Sequence, residues 1–462
     1  MLRAVEPGQN CLVPCTVVTT TCIRDLNDSR LRVDKIVMQR FLTFGVAAAW
    51  LVGCAAGVDR AEPVAIPFAP GACEVGVYQS ADSFVTITRR GEGVRYTFND
   101  GRTGNIGGGA QVECGEGVVQ VDKSHIWQKR AMRVTNTEFE SLGVRLAGQL
   151  IEPAEAGPNT PLVVLAHGSE ELGWIEAVSY PYQFAGRGVS VFVYDKRGTG
   201  RSEGSYSQNF PQLADDLVAA SFEAKRLAAD RFGSFGLFGF SQGGWIVPLA
   251  AERAGADYIG IGYGLVVDIL EEDASQVELE LREAGYGDDV IAKAKEMTDV
   301  TARLAISGYS DGLEDLSALQ TKYGDEDWFS LVRGGFSGII LGMSADDLGQ
   351  NGIPMFDRLN IDWSIKPMDV LRDVNVPQLW VLAQNDREAP VSKTLEQLLA
   401  LRGEGKDLKI FMFPDTDHGM WEYQQGSDGS RILTRVTDRY YDLLADWAGA
   451  SLQPPYAMSE VK

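Results

Sequence analysis

The fold is decided by the stretch Phe235-Gly236-Leu237-Phe238-Gly239-Phe240-Ser241-Gln242-Gly243-Gly244. An apolar strand, predicted over Phe235–Phe238, runs directly into the pattern G-x-S-x-G, and a helix is predicted to follow over Gln242–Arg253. The chain must turn so sharply between them that the serine is strained, and glycines are needed where backbone segments approach closely. The stretch predicts that Ser241 is a nucleophile held clear of a strand end; a purely structural glycine-rich turn is the alternative.

Continuously apolar strands alternate with helices on both sides of this stretch. Such alternation predicts an α/β fold in which a mostly parallel sheet is covered by helices on both faces. We assign residues 131–264 and 369–462 to this domain. The predicted strands are Val144–Ile151, Leu162–Ala166, Val189–Tyr194, Tyr258–Tyr263, Gln378–Leu382 and Leu408–Phe413, and the predicted helices include Phe210–Ala229 and Ile432–Ala448.

Residues 265–368 interrupt the alternation with amphipathic helix candidates, among them Ile269–Ala284 and Asp288–Ile306. Because this segment comes just after the strand that follows Ser241, we predict a helical lid over the carboxyl edge of the sheet; ordinary peripheral helices are the alternative. Five large apolar residues of the segment could line an acyl pocket or simply form its core: Trp328, Phe329, Phe336, Met343 and Phe356.

A serine hydroxyl is a poor nucleophile at neutral pH and needs a neighbouring base. The chain has three histidines. His125 precedes the predicted sheet, and His167 ends the strand Leu162–Ala166, where a structural hydrogen bond is the expected role. His418 follows the last apolar strand, in the loop before the terminal helix, and is the predicted base.

The acid that orients the base is expected in the loop after the preceding strand. Asp386 is the first carboxylate in that loop, and we predict that it fixes the tautomer of His418 and stabilises the imidazolium. Glu388 is the rival, although its longer side chain could instead pair with Arg387. The aspartates beside His418 are expected to cap or solvate their own loop. The order Ser, Asp, His along the chain differs from that of two other classes of serine protease.

The chain resembles bacterial carboxylesterases of the α/β-hydrolase superfamily, and also the catalytic domains of serine peptidases related to prolyl oligopeptidase. The resemblance covers roughly residues 135–450. It implies an α/β-hydrolase fold and hydrolysis of an ester or amide through an acyl-enzyme, without a metal or organic cofactor. The segments that carry it are His167-Gly168-Ser169, Asp195-Lys196-Arg197-Gly198-Thr199-Gly200-Arg201-Ser202, Gly239-Phe240-Ser241-Gln242-Gly243-Gly244, Asp386 and Asp417-His418-Gly419.

In this fold the oxyanion of the reaction is bound by two backbone N–H groups. One comes from the loop after the strand that ends at Ala166, and the other from the residue after the nucleophile. We assign them to Ser169 and Gln242. The glycine-rich loop after Tyr194 lacks the phosphate-binding pattern G-x-x-x-x-G-K-S/T, and we predict a structural role for it, with Asp195 and Arg197 in ion pairs.

The net charge of −22 makes a nucleic-acid partner improbable, because binding to a phosphate backbone depends on clustered Lys and Arg. The six cysteines have no histidine near them at zinc-ligand spacing, so a structural zinc site is also improbable. The expected partner is a small-molecule ester or a peptide substrate. The oligomeric state is left open.

The N-terminal part has the features of a bacterial lipoprotein leader. An apolar run ends in Leu51-Val52-Gly53-Cys54, and Lys35 and Arg40 precede it. We predict a signal peptide over 38–53, a lipid-modified Cys54, a tether over 54–71, and residues 1–37 as an upstream extension that is not native. The expected location is the periplasmic side of the outer membrane; an ordinary signal peptide or a buried helix with a free thiol is the alternative.

Residues 72–130 change to short β-type runs separated by glycine-rich turns, which predicts a small β domain. Cys73 and Cys114 would be the cysteines left in the mature protein besides Cys54. In an oxidising compartment they could form a disulfide, and two separate thiols are the alternative.

The leading functional hypothesis is a serine hydrolase that cleaves carboxylic esters. A serine peptidase with the same three residues is the second, and a non-catalytic envelope binding protein is the third.

Overall fold

The computed structural model describes residues 68–456 and 460–461, apart from 108 and 428. The predicted extension (1–37), the signal peptide (38–53), Cys54 and most of the tether (54–71) lie outside the described residues. The strands are β1 (Gly76–Ser80), β2 (Ser83–Arg90), β3 (Gly93–Phe98), β4 (Thr103–Asn105), β5 (Val112–Gly115), β6 (Val118–Val121), β7 (His125–Lys129), β8 (Met132–Ser141), β9 (Val144–Pro153), β10 (Leu162–Ala166), β11 (Ser190–Tyr194), β12 (Phe235–Phe240), β13 (Tyr258–Gly262), β14 (Gln378–Ala383), β15 (Leu408–Phe413), β16 (Thr416–Asp417), β17 (Trp421–Gln425) and β18 (Arg431–Val436).

The first α-helix follows β10, and further helices lie between the later strands of the larger domain. They are α1 (Tyr180–Gly186), α2 (Phe210–Ala228), α3 (Gly243–Ala254), α4 (Ile269–Glu283), α5 (Asp288–Ile306), α6 (Leu313–Tyr323), α7 (Ser337–Leu341), α8 (Ala345–Asp347), α9 (Ile353–Asp357), α10 (Pro367–Asp373), α11 (Val391–Gly403) and α12 (Tyr440–Ala448). None of those in the described part of the chain combines the length and apolar character that crossing a bilayer requires.

The larger domain is built on an eight-stranded sheet with the order β15-β14-β13-β12-β10-β11-β9-β8. The six strands from β15 to β11 in this order are parallel to one another. Their residues are apolar on both faces because helices cover both: Val164 of β10 packs into one core and Val163 into the other. This arrangement brings the carboxyl ends of β10, β12, β14 and β15 to one edge.

The expectation of a mostly parallel sheet is correct only for those six strands. The edge strands β9 and β8 are antiparallel, and so are the seven-stranded sheet β4-β3-β2-β1-β7-β6-β5 and the three-stranded sheet β16-β17-β18. Antiparallel strands need only short turns between them, so they add β structure without crossover helices. We name the seven-stranded sheet (β1–β7) the N-terminal sheet.

Residues 269–357 form the helical insertion, α4–α9, between β13 and α10. The large apolar residues proposed for an acyl pocket pack mainly against one another and the main core. Trp328, Phe336 and Phe356 are buried, and the rings of Phe336 and Phe356 lie 5.9 Å apart. Phe329 and Met343 pack partly buried against the same core. They therefore occupy the interior of the insertion.

The predicted helix Ile432–Ala448 is wrong in its first half. Residues 431–436 form β18, which pairs with β17, and α12 begins only at Tyr440. Ile432 and Leu433 resemble the start of an apolar helical stripe, but both are exposed on the hairpin. The hairpin follows the loop of His418 directly.

The N-terminal sheet has its own small core and a disulfide that joins Cys73 to Cys114. It is fixed to the larger domain through α1. The side-chain amide of Gln183 donates to the carbonyl oxygens of Thr97 and Phe98, and Arg187 donates to the carbonyl oxygen of Asn99. Each of these partners has a buried or half-buried side chain, so the two sheets form a continuous structure.

Candidate active site

The turn between β12 and α3 holds Ser241 in a left-handed backbone conformation, with φ of +52°. A non-glycine residue rarely adopts such a value, and the surrounding packing must enforce it. Gly239 is required because a Cβ there would lie 2.4 Å from the carbonyl oxygen of Gly243. The turn thus places the Ser241 hydroxyl at the carboxyl edge of the sheet, beside the N-terminus of α3.

The structure brings Ser241, His418 and Asp386 together from the ends of three strands. Nε2 of His418 lies 3.0 Å from Oγ of Ser241. Nδ1 of the same ring lies 2.9 Å and 3.0 Å from the two carboxylate oxygens of Asp386. This geometry lets the imidazole accept the serine proton while the carboxylate holds the other ring nitrogen protonated.

The carboxylate of Asp386 is buried and held in place by its own loop. The backbone N–H groups of Glu388 and Ala389 donate to its Oδ1 at 3.0 Å and 2.7 Å. Glu388, the rival acid, lies instead on the other side of the ring, with Oε2 3.5 Å from Nε2 of His418. Asp417 accepts the N–H of His418 and that of Arg387, so it stabilises the loop.

The loop after β10 lies against the nucleophile. A Cβ on Gly168 would be 3.5 Å from Cβ of Ser241. Within the described residues, the backbone N–H groups of Ser169 and Gln242 donate to no other group. Both positions assigned to the oxyanion hole therefore keep a free donor at this edge.

His167 does not reach Ser241. Its ring is buried, its Nε2 lies 2.5 Å from the carbonyl oxygen of Tyr194, and it stacks on Trp174 with centroids 4.4 Å apart. Burial and the nearby charge of Lys196 lower the pKa of His167 well below its ordinary value, so the ring is neutral. It supports the loop that carries Ser169.

The glycine-rich loop after β11 has a structural role, with one difference from the prediction. Arg197 pairs with Asp216 of α2 through two hydrogen bonds of 2.6 Å and 2.7 Å. Asp195 has no arginine partner in the described part of the chain; it accepts the backbone N–H groups of Ile175 and Arg201. A carboxylate that satisfies two backbone donors ties two loops together without a cation.

Comparison with known proteins agrees with this architecture. Residues 157–261, which contain β10 to β13 and the turn at Ser241, match a family model described as "Serine aminopeptidase, S33". This part of the chain has an α/β-hydrolase fold. No curated protein matches the chain.

The solved structures similar to the chain include several hydrolases. An esterase from Pyrococcus furiosus is 14% identical, with a TM-score of 0.40, and the match covers 62% of this chain and 84% of that one. An acylaminoacyl peptidase from Pyrococcus horikoshii is 14% identical, with a TM-score of 0.39, covering 75% and 52%. An α/β hydrolase from Penicillium is 19% identical, with a TM-score of 0.37, covering 62% and 91%.

The electrostatics of the site are dominated by carboxylates. Burial alone would lower the pKa of His418, but Asp386, Glu388 and Glu272 outweigh it and raise the pKa to about 10. Glu272 belongs to α4, and burial raises its own pKa to about 8. The carboxylates therefore favour the imidazolium, the charged form that the ring takes when it accepts a proton from Ser241.

Sequence reasoning missed three residues of the site. Glu272 lies on an amphipathic helix that carries several other acidic residues, and no motif distinguishes it. Lys196 is buried and donates to the carbonyl oxygen of Gly168 at 2.7 Å, and burial lowers its pKa to about 8. Arg387 pairs with Glu280 and Glu283 of α4 and so connects the loop of Asp386 to the insertion. All three depend on tertiary contacts between distant segments.

Among the residues that the structure describes, no group of three His, Cys, Asp or Glu side chains is arranged to hold a metal ion.

Proposed function

We propose that this chain is a serine hydrolase that cleaves carboxylic esters through an acyl-enzyme intermediate. The observation that carries the proposal is the chain of contacts from Ser241 Oγ through His418 to the carboxylate of Asp386, at 3.0 Å and 2.9 Å. Two free N–H donors beside the nucleophile support it, because acyl transfer needs stabilisation of an oxyanion.

In the proposed reaction, Oγ of Ser241 attacks the ester carbonyl carbon while its proton passes to Nε2 of His418. The carbonyl oxygen becomes an oxyanion that accepts from the N–H groups of Ser169 and Gln242. When the C–O bond to the alcohol breaks, His418 returns the proton to the leaving oxygen. A water molecule then repeats both proton transfers and releases the acid, restoring the serine.

A fluorophosphonate probe tests the nucleophile directly. We expect the wild-type protein to gain one phosphonyl group, located on Ser241 by peptide mass spectrometry, and Ser241→Ala to remain unlabelled. Asp386→Asn should lower kcat by roughly 10³–10⁴-fold while leaving the thermal unfolding transition in place, because the imidazole would adopt the wrong tautomer. Labelling at another serine, or none in folded protein, would refute the proposal and favour a binding protein.

Peptide hydrolysis is the second candidate. It is favoured by the family model of residues 157–261 and by Glu388, whose carboxylate lies 3.5 Å from Nε2 of His418. A carboxylate at that position could attract the ammonium group of a free amino terminus. A panel of para-nitrophenyl esters and aminoacyl para-nitroanilides separates the two activities: the ester hydrolase turns over only the first set, and a peptidase turns over both.

We also propose that the helical insertion (α4–α9) acts as a lid. The ion pairs of Arg387 with Glu280 and Glu283 support this role, since they link α4 to the loop that carries Asp386. Arg431, on the hairpin after His418, pairs with Glu283 as well. Hydrogen exchange with and without a phosphonate inhibitor tests it: protection should increase in α4.

Export and lipid anchoring at Cys54 belong to the same proposal. The disulfide between Cys73 and Cys114 supports an oxidising compartment. In a bacterial host, the mature protein should begin at a diacylated Cys54 and fractionate with membranes. Cys54→Ala should abolish the lipid and release the protein from the membrane fraction.

A further inference from the structure

A cavity of about 160 Å³ lies between the N-terminal sheet and the hydrolase domain. Strands β2, β3 and β4 form one wall, with Arg90 and Arg95 among its residues. The segment after the predicted oxyanion loop, which includes Tyr180, and the segment after His418, which includes Gly419, form the other walls together with Tyr263, which follows β13. The cavity is therefore shared between the two sheets.

The wall from the N-terminal sheet is polar because of strand register. Thr88 pairs with Arg95, and Thr97 pairs with Thr103, so these side chains share one face of the sheet. Side chains one residue away, such as Ile87 and Phe98, point to the opposite face and form the small core of the sheet. At the cavity, the sheet thus turns polar side chains towards the hydrolase domain.

Within the described residues, the two guanidinium groups in this wall have no hydrogen-bond or ion-pair partner. Of the arginines in the described residues, only Arg90 and Arg95 contact neither a carboxylate nor a carbonyl oxygen. Every other arginine there has one. In a chain of net charge −22, carboxylates are abundant, so their exclusion from this cavity is a specific feature.

Arg95 is half-buried, and its surroundings disfavour its charge. Burial and the neighbouring charge of Arg90 lower the pKa of Arg95. An uncompensated cation in such a position costs stability, and a bound anion would relieve that cost. Guanidinium groups bind carboxylates, and phosphates as well, through two parallel hydrogen bonds.

The cavity adjoins the reacting residues. Tyr263 packs edge-on against the imidazole of His418, with ring centroids 4.9 Å apart, and its hydroxyl lies 3.2 Å from that of Tyr180. Gly419 is the residue directly after His418. The cavity is thus separated from the proposed base by the ring of Tyr263, so a group bound there lies about one side chain away from His418.

We infer that the cavity is a substrate subsite, in which Arg95, assisted by Arg90, binds a carboxylate carried by the substrate. This inference rests on the proposed function and narrows it: the preferred esters are anionic, with a second acidic group besides the bond that is cleaved. It also gives the N-terminal sheet a role, since this sheet supplies the charged wall.

The test compares matched esters. The first set carries the carboxylate on the acyl half: mono-para-nitrophenyl esters of succinic, glutaric and adipic acid. Each is compared with a neutral para-nitrophenyl ester of the same acyl chain length. A second set carries the carboxylate on the alcohol half: acetate esters of para-hydroxybenzoate and of its methyl ester. We expect kcat/KM to favour at least one carboxylated member over its neutral match, and Arg95→Gln to reduce that ratio by about 10- to 100-fold. Arg95→Lys should retain part of the preference.

Arg89→Gln is the matched control. Arg89 is the neighbour of Arg90 on β2, but it faces away from the cavity and donates to the carbonyl oxygen of Cys73 at 2.8 Å. This variant should keep both the ratio and the neutral-ester activity of the wild type. Thermal unfolding of all three variants checks that the sheet remains folded.

A binding measurement that needs no turnover tests the carboxylate subsite separately from the proposed hydrolase activity. Calorimetry of glutarate with Ser241→Ala should show binding that weakens at least about tenfold in the Ser241→Ala, Arg95→Gln double variant. If esters are hydrolysed but the preference and the glutarate binding do not depend on Arg95, the subsite is refuted and the hydrolase stands. If Ser241 is neither labelled nor needed for hydrolysis, the proposed function itself is refuted, whether or not glutarate binds.

Discussion

Glu388 lies 3.5 Å from Nε2 of His418, the same ring nitrogen that faces the hydroxyl of Ser241. With Asp386 at Nδ1, the imidazole is flanked by a carboxylate at each nitrogen. Both charges stabilise the imidazolium, which raises the pKa of His418 to about 10 despite its burial. The contact therefore controls the pH at which the proposed base becomes available.

We expect Glu388→Gln to shift the acid limb of the kcat/KM profile to lower pH. A general base works only when neutral, so activity rises as pH increases through its pKa, here above the ordinary value of about 6.5. Removing the charge of Glu388 lowers that pKa and moves the limb with it. Profiles measured with a neutral ester check the shift, and Glu314→Gln, on the exposed surface of α6, is the control. An unchanged limb would show that Glu388 does not act on the imidazole.

A methyl group at Gly239 should disrupt the turn that carries Ser241. Its Cβ would meet the carbonyl oxygen of Gly243 at 2.4 Å and Val247 at 2.8 Å, so Gly239→Ala should cost about 1–3 kcal/mol in unfolding free energy and most of the activity. Gly403→Ala is the control, because nothing lies within 4 Å of a Cβ at Gly403, at the end of α11. Urea unfolding should show this variant unchanged or slightly stabilised. Equal stability of the two variants would contradict the packing argument.

Lys196 should make the stability of the protein depend on pH in the alkaline range. Burial lowers its pKa to about 8 in the folded state, from 10.5. Between these values the unfolded chain binds more protons, so the unfolding free energy contributed by Lys196 rises with pH. Lys196→Met removes this contribution, and the stability difference between variant and wild type should change across that window by up to about 3 kcal/mol. Chemical unfolding at several pH values measures it; parallel curves would mean that the lysine is not desolvated.

The disulfide between Cys73 and Cys114 should stabilise the N-terminal sheet. It closes a loop with a sequence separation of 41, and loss of such a constraint typically costs about 2–4 kcal/mol. We expect Cys73→Ser, Cys114→Ser protein to melt at a lower temperature than the oxidised wild type. Peptide mapping without reductant should find the crosslinked peptides; two free thiols in exported protein would contradict the pairing.

The central sheet and the meeting point of three side chains could be predicted from sequence because both follow from local patterns. Continuous apolar runs mark the parallel strands, and the segment after each run must lie at the carboxyl edge. Ser241, Asp386 and His418 each follow such a run, so their convergence needs no knowledge of side-chain contacts. The helices α2, α4 and α5 begin and end within a residue of their predicted bounds for the same reason.

The remainder of the site depends on contacts that local patterns do not contain. By sequence Glu388 is an alternative to Asp386, whereas the structure places the two carboxylates at opposite nitrogens of one imidazole ring. Arg95 alternates with apolar residues on an ordinary strand, and only the packing of two sheets makes its lack of a partner visible. Strand β18 was predicted as helix because Ile432 and Leu433 precede a true apolar helix, although both are exposed.

The hydrogen bonds from Gln183 and Arg187 to the carbonyl oxygens of Thr97 and Asn99 have a practical consequence for anyone who shortens the gene. A fragment starting at residue 131 would remove the acceptors of the Gln183 amide and one acceptor of Arg187, and it would expose the apolar side chains Tyr182 and Ala185 of α1. Such a fragment would aggregate or misfold rather than yield a minimal enzyme. The first sheet is thus part of the architecture that the second requires, and transplanting it between relatives would need α1 to be moved as well.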